Sequence, residues 1–320
     1  MRTVLNCQCL LYQKSGEWSR LLEAAGFEIR DPTPADRALS EAELIANLDG
    51  VDATIASGEP YTSTVFQAAP SLRVISRTGV GYDAIDVAEA TRRGIWIGVT
   101  PGVNQGAVAE HAFALILAIA KCIPGNHANV IAGGFARQPT YALRDKVLGL
   151  IGFGRIGRAM ERLARAFDMH LVATDPRLPL GESAGTRMVA LETLLAESDI
   201  VSLHAPLMPE TRRLICAETI AQMKDGAVLI NTARGGLVDE QALANALRSG
   251  KISAAGLDVF EQEPPIGSPL LSAPNVVLSP HMAGIDELSL ADMAAMAAQT
   301  IIDVFAGRFP GDRIVNRPDP

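Results

Sequence analysis

Val147-Leu148-Gly149-Leu150-Ile151-Gly152-Phe153-Gly154-Arg155-Ile156-Gly157 is an apolar run ending in a glycine-rich turn, and residues 158–167 after it read as a helix. The six-residue glycine pattern alone is common; its place between a strand and a helix gives it weight. In that setting Gly152 makes the tight turn, Gly154 lets the backbone approach a pyrophosphate, and Gly157 lets helix and strand pack closely. The helix N-terminus, from Arg155 and Ile156, then faces the anion. The next strand ends at Asp175, about 18 residues past Gly157, where a carboxylate that bonds ribose hydroxyls belongs. NAD is the expected cofactor, because this carboxylate repels a 2′-phosphate, although Arg177 leaves some room for NADP. The plainer reading of Asp175 is a turn residue ahead of Pro176.

On both sides of this stretch, short β-branched runs alternate with helical segments, the pattern of parallel sheets covered by helices. In the first third the expected strands are 3–7, 51–56, 73–76 and 95–98, with helices at 18–25 and 41–48. Regular structure breaks at Thr100-Pro101-Gly102-Val103, a plausible hinge, and the apolar segment 105–123 follows. Strands at 147–151, 171–174, 200–203, 228–231, 254–257 and 276–278 would complete a six-stranded dinucleotide sheet. Residues 287–305, rich in Ala and Met, carry apolar positions at helical spacing, and the tail from Phe309 should be irregular and surface-lying. The fold class is α/β with doubly wound parallel sheets.

The chain has 320 residues, enough for two domains of ordinary size. It is 48% hydrophobic and 20% charged, with a formal net charge of −8 and no basic run, so nucleic acid is not an expected partner. The N-terminus lacks a signal-peptide pattern, and the longest apolar run, 112–120, is well short of the roughly 20 residues of a membrane span, so no membrane partner is expected. The four cysteines, Cys7, Cys9, Cys122 and Cys216, lack paired spacing and read as reduced thilols of a cytoplasmic protein, with Cys7 and Cys9 on one face of a strand and no metal site.

Reduction of a carbonyl by a bound nicotinamide needs a proton donor for the oxygen, and an anionic substrate needs a cationic anchor. Three segments after strands supply such groups: Asn231-Thr232-Ala233-Arg234-Gly235-Gly236, Asp258-Val259-Phe260-Glu261-Gln262-Glu263-Pro264 and Ser279-Pro280-His281. In open α/β sheets ligands bind at this edge. Taken singly, Arg234 is a loop cation, Glu263 a surface carboxylate and His281 a strand-end histidine bonded to backbone.

With these segments, Gly79-Val80-Gly81-Tyr82-Asp83, Thr100-Pro101-Gly102-Val103-Asn104, Val108-Ala109-Glu110, the glycine loop and His204-Ala205-Pro206-Leu207 form an ordered set. It resembles the D-isomer-specific 2-hydroxy acid dehydrogenase family, which includes D-3-phosphoglycerate dehydrogenases and glyoxylate or hydroxypyruvate reductases. The set spans most of residues 73–284.

The resemblance implies that His281 is the acid in reduction and the base in oxidation, that Glu263 is its partner, and that Arg234 binds the substrate carboxylate and carbonyl. A carboxylate beside an imidazole favours its protonated form. It further implies substrate contacts from Arg77 and from the backbone at Val80 and Gly81, and a cofactor site that adds His204, Pro206, Thr211, Thr232, Ala233 and Asp258 to the glycine loop and Asp175. Asn104 and Glu110 would orient the hinge; the plainer reading makes Asn104 a helix cap and His111 a packed core histidine. A flavodoxin-like substrate-binding domain is expected from 1–101 and 287–320, with a Rossmann NAD-binding domain of 102–286 inserted into it. A homodimer is implied, with the loop-like segment 122–143 as an arm. Phosphoglycerate dehydrogenases often carry Arg-Ser where this chain has Ala56-Ser57, which favours a small acid over a phosphorylated one. The chain ends about where the catalytic domains do, as expected of a short form without a C-terminal regulatory domain. The alternatives are a D-3-phosphoglycerate dehydrogenase and a non-catalytic NAD(H)-sensing binding protein, which sustained turnover separates.

Overall fold

The structure is a computed structural model that describes residues 1–183 and 185–318. It divides into two compact units, Met1–Asn104 with Asp286–Pro320, and Gln105–Ile285.

The N-terminal segment runs β1 (Arg2–Asn6), α1 (Glu17–Ala24), β2 (Phe27–Arg30), α2 (Glu41–Asn47), β3 (Ala53–Ala56), α3 (Ser63–Ala68), β4 (Val74–Arg77), α4 (Val87–Arg92) and β5 (Trp96–Gly98). Its five strands are all parallel, in the order β2-β1-β3-β4-β5, which is the flavodoxin-like order. The pleat sends neighbouring residues to opposite faces. Leu5, Ala56 and Ile75 therefore join Leu44, Tyr61 and Phe66 in one buried layer, while Val4, Ile55 and Val74 join Trp18 and Leu22 in another. With both faces covered, the strands read as near-continuous apolar runs instead of alternating ones.

The second unit holds α5 (Gln105–Ala120), α6 (Ile123–Ile131), β6 (Val147–Ile151), α7 (Arg155–Ala166), β7 (His170–Thr174), β8 (Gly181–Ser183), β9 (Thr186–Met188), α8 (Leu191–Glu197), β10 (Ile200–Leu203), α9 (Ala217–Gln222), β11 (Ala227–Asn231), α10 (Glu240–Ser249), β12 (Ile252–Leu257) and β13 (Val276–Leu278). Its sheet order is β13-β12-β11-β10-β6-β7-β9-β8, parallel except for the β8–β9 pair. The direction of winding reverses between β6 and β10, and ligands bind outside the C-terminal ends of strands at such a point. Phe113 and Ile116 of α5 pack on one face with Leu150 and Ile230, and Leu243 and Leu247 of α10 pack on the other with Ile151 and Leu229.

The last helix, α11 (Glu287–Phe305), returns to the first unit. It is long and apolar enough to cross a membrane by composition, yet Ala294, Ala297, Ala298 and Ile301 are fully buried in the layer that contains Val4 and Val74.

Several expectations need correcting. The segment 122–143 is not all loop: α6 occupies its first part, because Pro124 stands in the first turn of a helix, where its missing N–H costs nothing. The second sheet has eight strands and not six, since the three-residue β8 and β9 are too short to show as hydrophobic runs. Strand β2 was absent from the reading because its Glu28 and Arg30 leave only two apolar residues. Cys9 lies in a 3-10 turn past the end of β1 and shares no strand face with Cys7. The tail does not simply lie on the surface: Asn316 is buried, its Oδ1 accepts from Ile97 N at 2.8 Å and its Nδ2 donates to Ile95 O at 2.9 Å.

Candidate active site

The glycine loop joins β6 to α7, and its glycines meet different surroundings. Gly152 has φ +96°, and a Cβ there would lie 2.6 Å from His204 O; a Cβ on Gly157 would lie 2.5 Å from Gly152 O. Gly154 faces open space, the nearest atom to a Cβ there being an Arg177 nitrogen at 4.0 Å. The turn is thus held tight at both ends and left open in the middle, ahead of the N–H groups that begin α7. Arg155 is exposed and Ile156 half-buried.

Asp175 follows β7 and is 7% exposed. Its carboxylate accepts from Phe153 N at 3.1 Å and from Arg177 N at 3.0 Å, and the Arg177 guanidinium donates to both oxygens at 3.1 Å. The bond from Arg177, aided by these N–H groups, holds the carboxyl below its usual range against the effect of burial.

Beyond β10, His204 Nε2 lies 2.9 Å from Ser202 Oγ, while its Nδ1 is buried and has no hydrogen-bond partner. Thr232 Oγ1, just beyond the neighbouring β11, is also buried and unpartnered. Buried polar atoms without partners cost about 1–3 kcal/mol each, so their pairing at the ligand edge of the sheet fits a polar group that binds there. Together with the open turn at Gly154 and the Asp175 carboxylate, they fit a dinucleotide. Pro206 is exposed, and Thr211 Oγ1 donates to Pro206 O at 2.7 Å and accepts from Met208 N at 2.8 Å, bracing its own loop.

The groups that the sequence marks as candidates for the chemistry stand on three further loops. After β11, the buried Asn231 clamps its own turn, accepting from Ala233 N at 3.0 Å and donating to Arg234 O at 2.8 Å. Arg234 is half-buried and its Nη1 donates to Ala233 O at 2.6 Å. A Cβ on Gly235 would fall 1.8 Å from Phe260 C, so only glycine lets this turn meet the loop after β12. On that loop Glu263 Oε1 accepts from Phe260 N at 3.0 Å, and Glu263 Oε2 lies 2.6 Å from His281 Nδ1.

Burial alone would push the Glu263 carboxyl up. The hydrogen bond and charge of His281, the Phe260 N–H and the positive charge of Arg234 outweigh it and hold the group below its ordinary value. Glu263 is therefore the acceptor at neutral pH, and His281 carries its proton on Nδ1. Nε2 is left as the imidazole nitrogen that can meet a ligand. His281 has φ +52°, its N–H donates to Asp258 O at 2.8 Å, and its side chain is half exposed.

Asp258 is fully buried. Ser279 Oγ donates to its Oδ1 at 2.6 Å, Met282 N to Oδ1 at 3.0 Å and Ala283 N to Oδ2 at 2.8 Å. Ser279 and Asn231 both lie in segments quoted from the sequence, where neither carries an expected role. Small polar residues flanking a strand end were the available signal.

In the first unit, Gly79 N donates to Thr100 Oγ1 at 2.8 Å, and Arg77 Nη1 donates to Gly81 O, so the cation braces the Val80–Gly81 turn from within. Val80 is exposed. Glu59, 1% exposed, accepts from Ser57 N at 2.7 Å, and burial raises its carboxyl above the usual value, with the Arg77 charge opposing. Glu110 is exposed.

Known proteins resemble this arrangement across the chain. The sequence model described as D-isomer specific 2-hydroxyacid dehydrogenase, NAD binding domain, matches residues 113–283. A glyoxylate reductase of Korarchaeum cryptofilum is 42% identical over 281 residues, 85% of this chain and 85% of its own. A D-3-phosphoglycerate dehydrogenase of Methanocaldococcus jannaschii is 40% identical over 287 residues, 88% of this chain but 55% of its own. Among solved structures, an NAD-dependent formate dehydrogenase of Staphylococcus aureus in complex with NAD superposes with a TM-score of 0.88 at 25% identity, covering 100% of both chains.

One consequence for stability follows from His204, whose pKa burial pushes down to about 4. The unfolded chain takes up this proton near pH 6.5, so the stability is fully present above that pH and is lost as pH falls toward 4. In urea unfolding, the native protein should lose up to about 3 kcal/mol more than His204→Asn between pH 7 and pH 4. Equal losses would contradict the burial of a neutral ring.

Proposed function

The chain belongs to the D-isomer-specific 2-hydroxyacid dehydrogenase family, an NAD-dependent oxidoreductase acting on CH–OH groups, and from that premise we propose that it reduces a small, unphosphorylated 2-oxo acid of the glyoxylate or hydroxypyruvate kind. The observation that carries this reading is the 2.6 Å contact between His281 Nδ1 and Glu263 Oε2.

NADH, when bound, supplies the hydride that reaches C2 of the acid. His281 gives its Nε2 proton to the carbonyl oxygen as that oxygen gains negative charge, and the Glu263 carboxylate stabilises the imidazolium before transfer and fixes the tautomer after it. Oxidation runs the same steps backwards. Arg234 binds the substrate carboxylate and carbonyl through its planar fork of donors. On Arg77 and the N–H groups of Val80 and Gly81, the substrate-binding role is assigned to the unit of 1–104 and 286–320. Gly152, Gly154, Arg155, Ile156 and Gly157 receive the pyrophosphate, Asp175 the ribose hydroxyls. His204, Pro206, Thr211, Thr232, Ala233 and Asp258 line the rest of the cofactor.

The small-acid reading draws support from the end of β3. There Ala56 is fully buried and offers no cation of its own, and the buried carboxyl of Glu59 is unsuited to a phosphate dianion, although Arg77, paired with Ala56 across the sheet, keeps one cation nearby. A cytoplasmic location fits the four free thiols. A homodimer fits α6, none of whose side chains is buried, and the exposed Ile123, Val130, Ile131 and Phe135 around it.

The direct test follows NADH and NADPH oxidation with glyoxylate, hydroxypyruvate, pyruvate, 2-oxoglutarate and 3-phosphohydroxypyruvate. Native protein should turn over a small acid with NADH, and His281→Ala should lower kcat at least about 100-fold. Asp175→Ala, which frees Arg177, should raise the NADPH-to-NADH ratio of kcat/KM by about tenfold or more. Preference for the phosphorylated acid would make the chain a phosphoglycerate dehydrogenase, and NADH binding without turnover would make it a sensor. For the dimer, sedimentation equilibrium should give twice the chain mass, reduced to one chain by Ile131→Glu with Phe135→Glu; a monomeric native protein would refute it.

A further inference from the structure

His111 sits on the apolar helix α5, where a packed core histidine is the plain expectation. Its ring is instead half-buried, and its Nε2 reaches Ser279 Oγ at 2.8 Å and stands 3.6 Å from Asp258 Oδ1. Ser279 donates its hydroxyl proton to Asp258 at 2.6 Å. A serine hydroxyl has one proton, so toward His111 it accepts, and His111 must carry a proton on Nε2. This holds for the neutral ring and for the imidazolium.

Asp258 passes the constraint on. Its two oxygens hold Met282 N and Ala283 N, and its carbonyl holds His281 N, so three successive N–H groups of the turn carrying His281 end on this one residue. Oδ1 already takes Ser279 and Met282, and Oδ2 takes Ala283; in the proposed function the same residue lines the nicotinamide side of the cofactor. A buried carboxylate free to rotate would exchange these roles.

Resting on the reaction assigned above, we infer that His111 is a positioning residue: through Ser279 it fixes the orientation of the Asp258 carboxylate, and so the placement of both His281 and the nicotinamide end of the cofactor. It touches neither substrate nor cofactor. A misplacement of about 1 Å at a reacting group can cost on the order of 100-fold in rate, so a modest loosening of the turn is enough to matter.

The test compares native protein, His111→Ala, His111→Gln, Ser279→Ala and the double His111→Ala/Ser279→Ala. Gln can place an N–H near the position of the histidine Nε2. His111→Ala and Ser279→Ala should each lower kcat about tenfold or more, with KM for the 2-oxo acid within about threefold of native, and weaken NADH binding, read by fluorescence, about threefold or more. His111→Gln should recover most of both losses, and the double variant should be no worse than the worse single, because the two residues act in series. Thermal unfolding accompanies each variant, and Ser279→Ala, which removes one oxygen, carries the comparison if His111→Ala does not fold. The inference fails if kcat and NADH affinity in His111→Ala stay within twofold of native, if Gln restores nothing beyond Ala, or if the two losses multiply. A native protein that oxidises NADH with no acid would refute the assigned reaction instead, and NADH affinity across the same variants would still decide the role of His111.

Discussion

Removing an ionised carboxylate from water costs several kcal/mol unless the protein replaces the lost hydrogen bonds, and Asp258 has no exposed surface at all. Its replacements are Ser279 Oγ and the N–H groups of Met282 and Ala283, so the energetic demand of one buried charge becomes a geometric instruction to residues 279–283. His281 sits in that turn with φ +52°, a conformation uncommon for non-glycine residues. The direction of its ring then follows from the 2.6 Å bond to Glu263, whose carboxylate is itself tied to Phe260 N. His281, the proton donor of the proposed reaction, is held by these hydrogen bonds.

That arrangement needs the parallel sheet beneath it. Because β6, β7, β10, β11, β12 and β13 all run the same way, the loops that follow them emerge at one edge. Residues as distant in sequence as Gly152, Asp175, His204, Arg234, Asp258 and His281 therefore become neighbours on consecutive loops. The close approach of Gly235 to Phe260 shows how little spare room separates adjacent loops there. The buried, unpartnered Thr232 Oγ1 and His204 Nδ1 at the same edge show polar capacity held ready for a ligand.

Much of this was legible in the sequence where a pattern had one physical cause. The helix at 287–305 was read to the residue, because a long run of Ala and Met at helical spacing has no rival reading. The strand–turn–helix at 147–167 was legible because its glycines follow a strand and open a helix, and Arg234, Glu263 and His281 stood out because they follow strands in order. What escaped depended on tertiary partners. Asn316 satisfies Ile97 N across more than 200 residues, and nothing local marks it. The hairpin Gly181–Ser183 with Thr186–Met188 has too few apolar residues to announce itself, and the loop-like look of 122–143 hid α6, whose first turn holds Pro124. His111 reads as a core histidine and not as a catalyst, and nothing local marks its polar contact with Ser279, some 168 positions along the chain.

The measurement that bears most directly on this account is the fate of the hydride. NADH carrying deuterium at C4, prepared separately with the label on each face, would be incubated with glyoxylate and the native protein, and the product analysed by mass spectrometry and NMR. The account predicts that one of the two labelled cofactors delivers deuterium to C2 of glycolate while the other keeps it in the oxidised dinucleotide. Glycolate without deuterium from either, or no reduction of glyoxylate or of hydroxypyruvate in the same experiment, would contradict it.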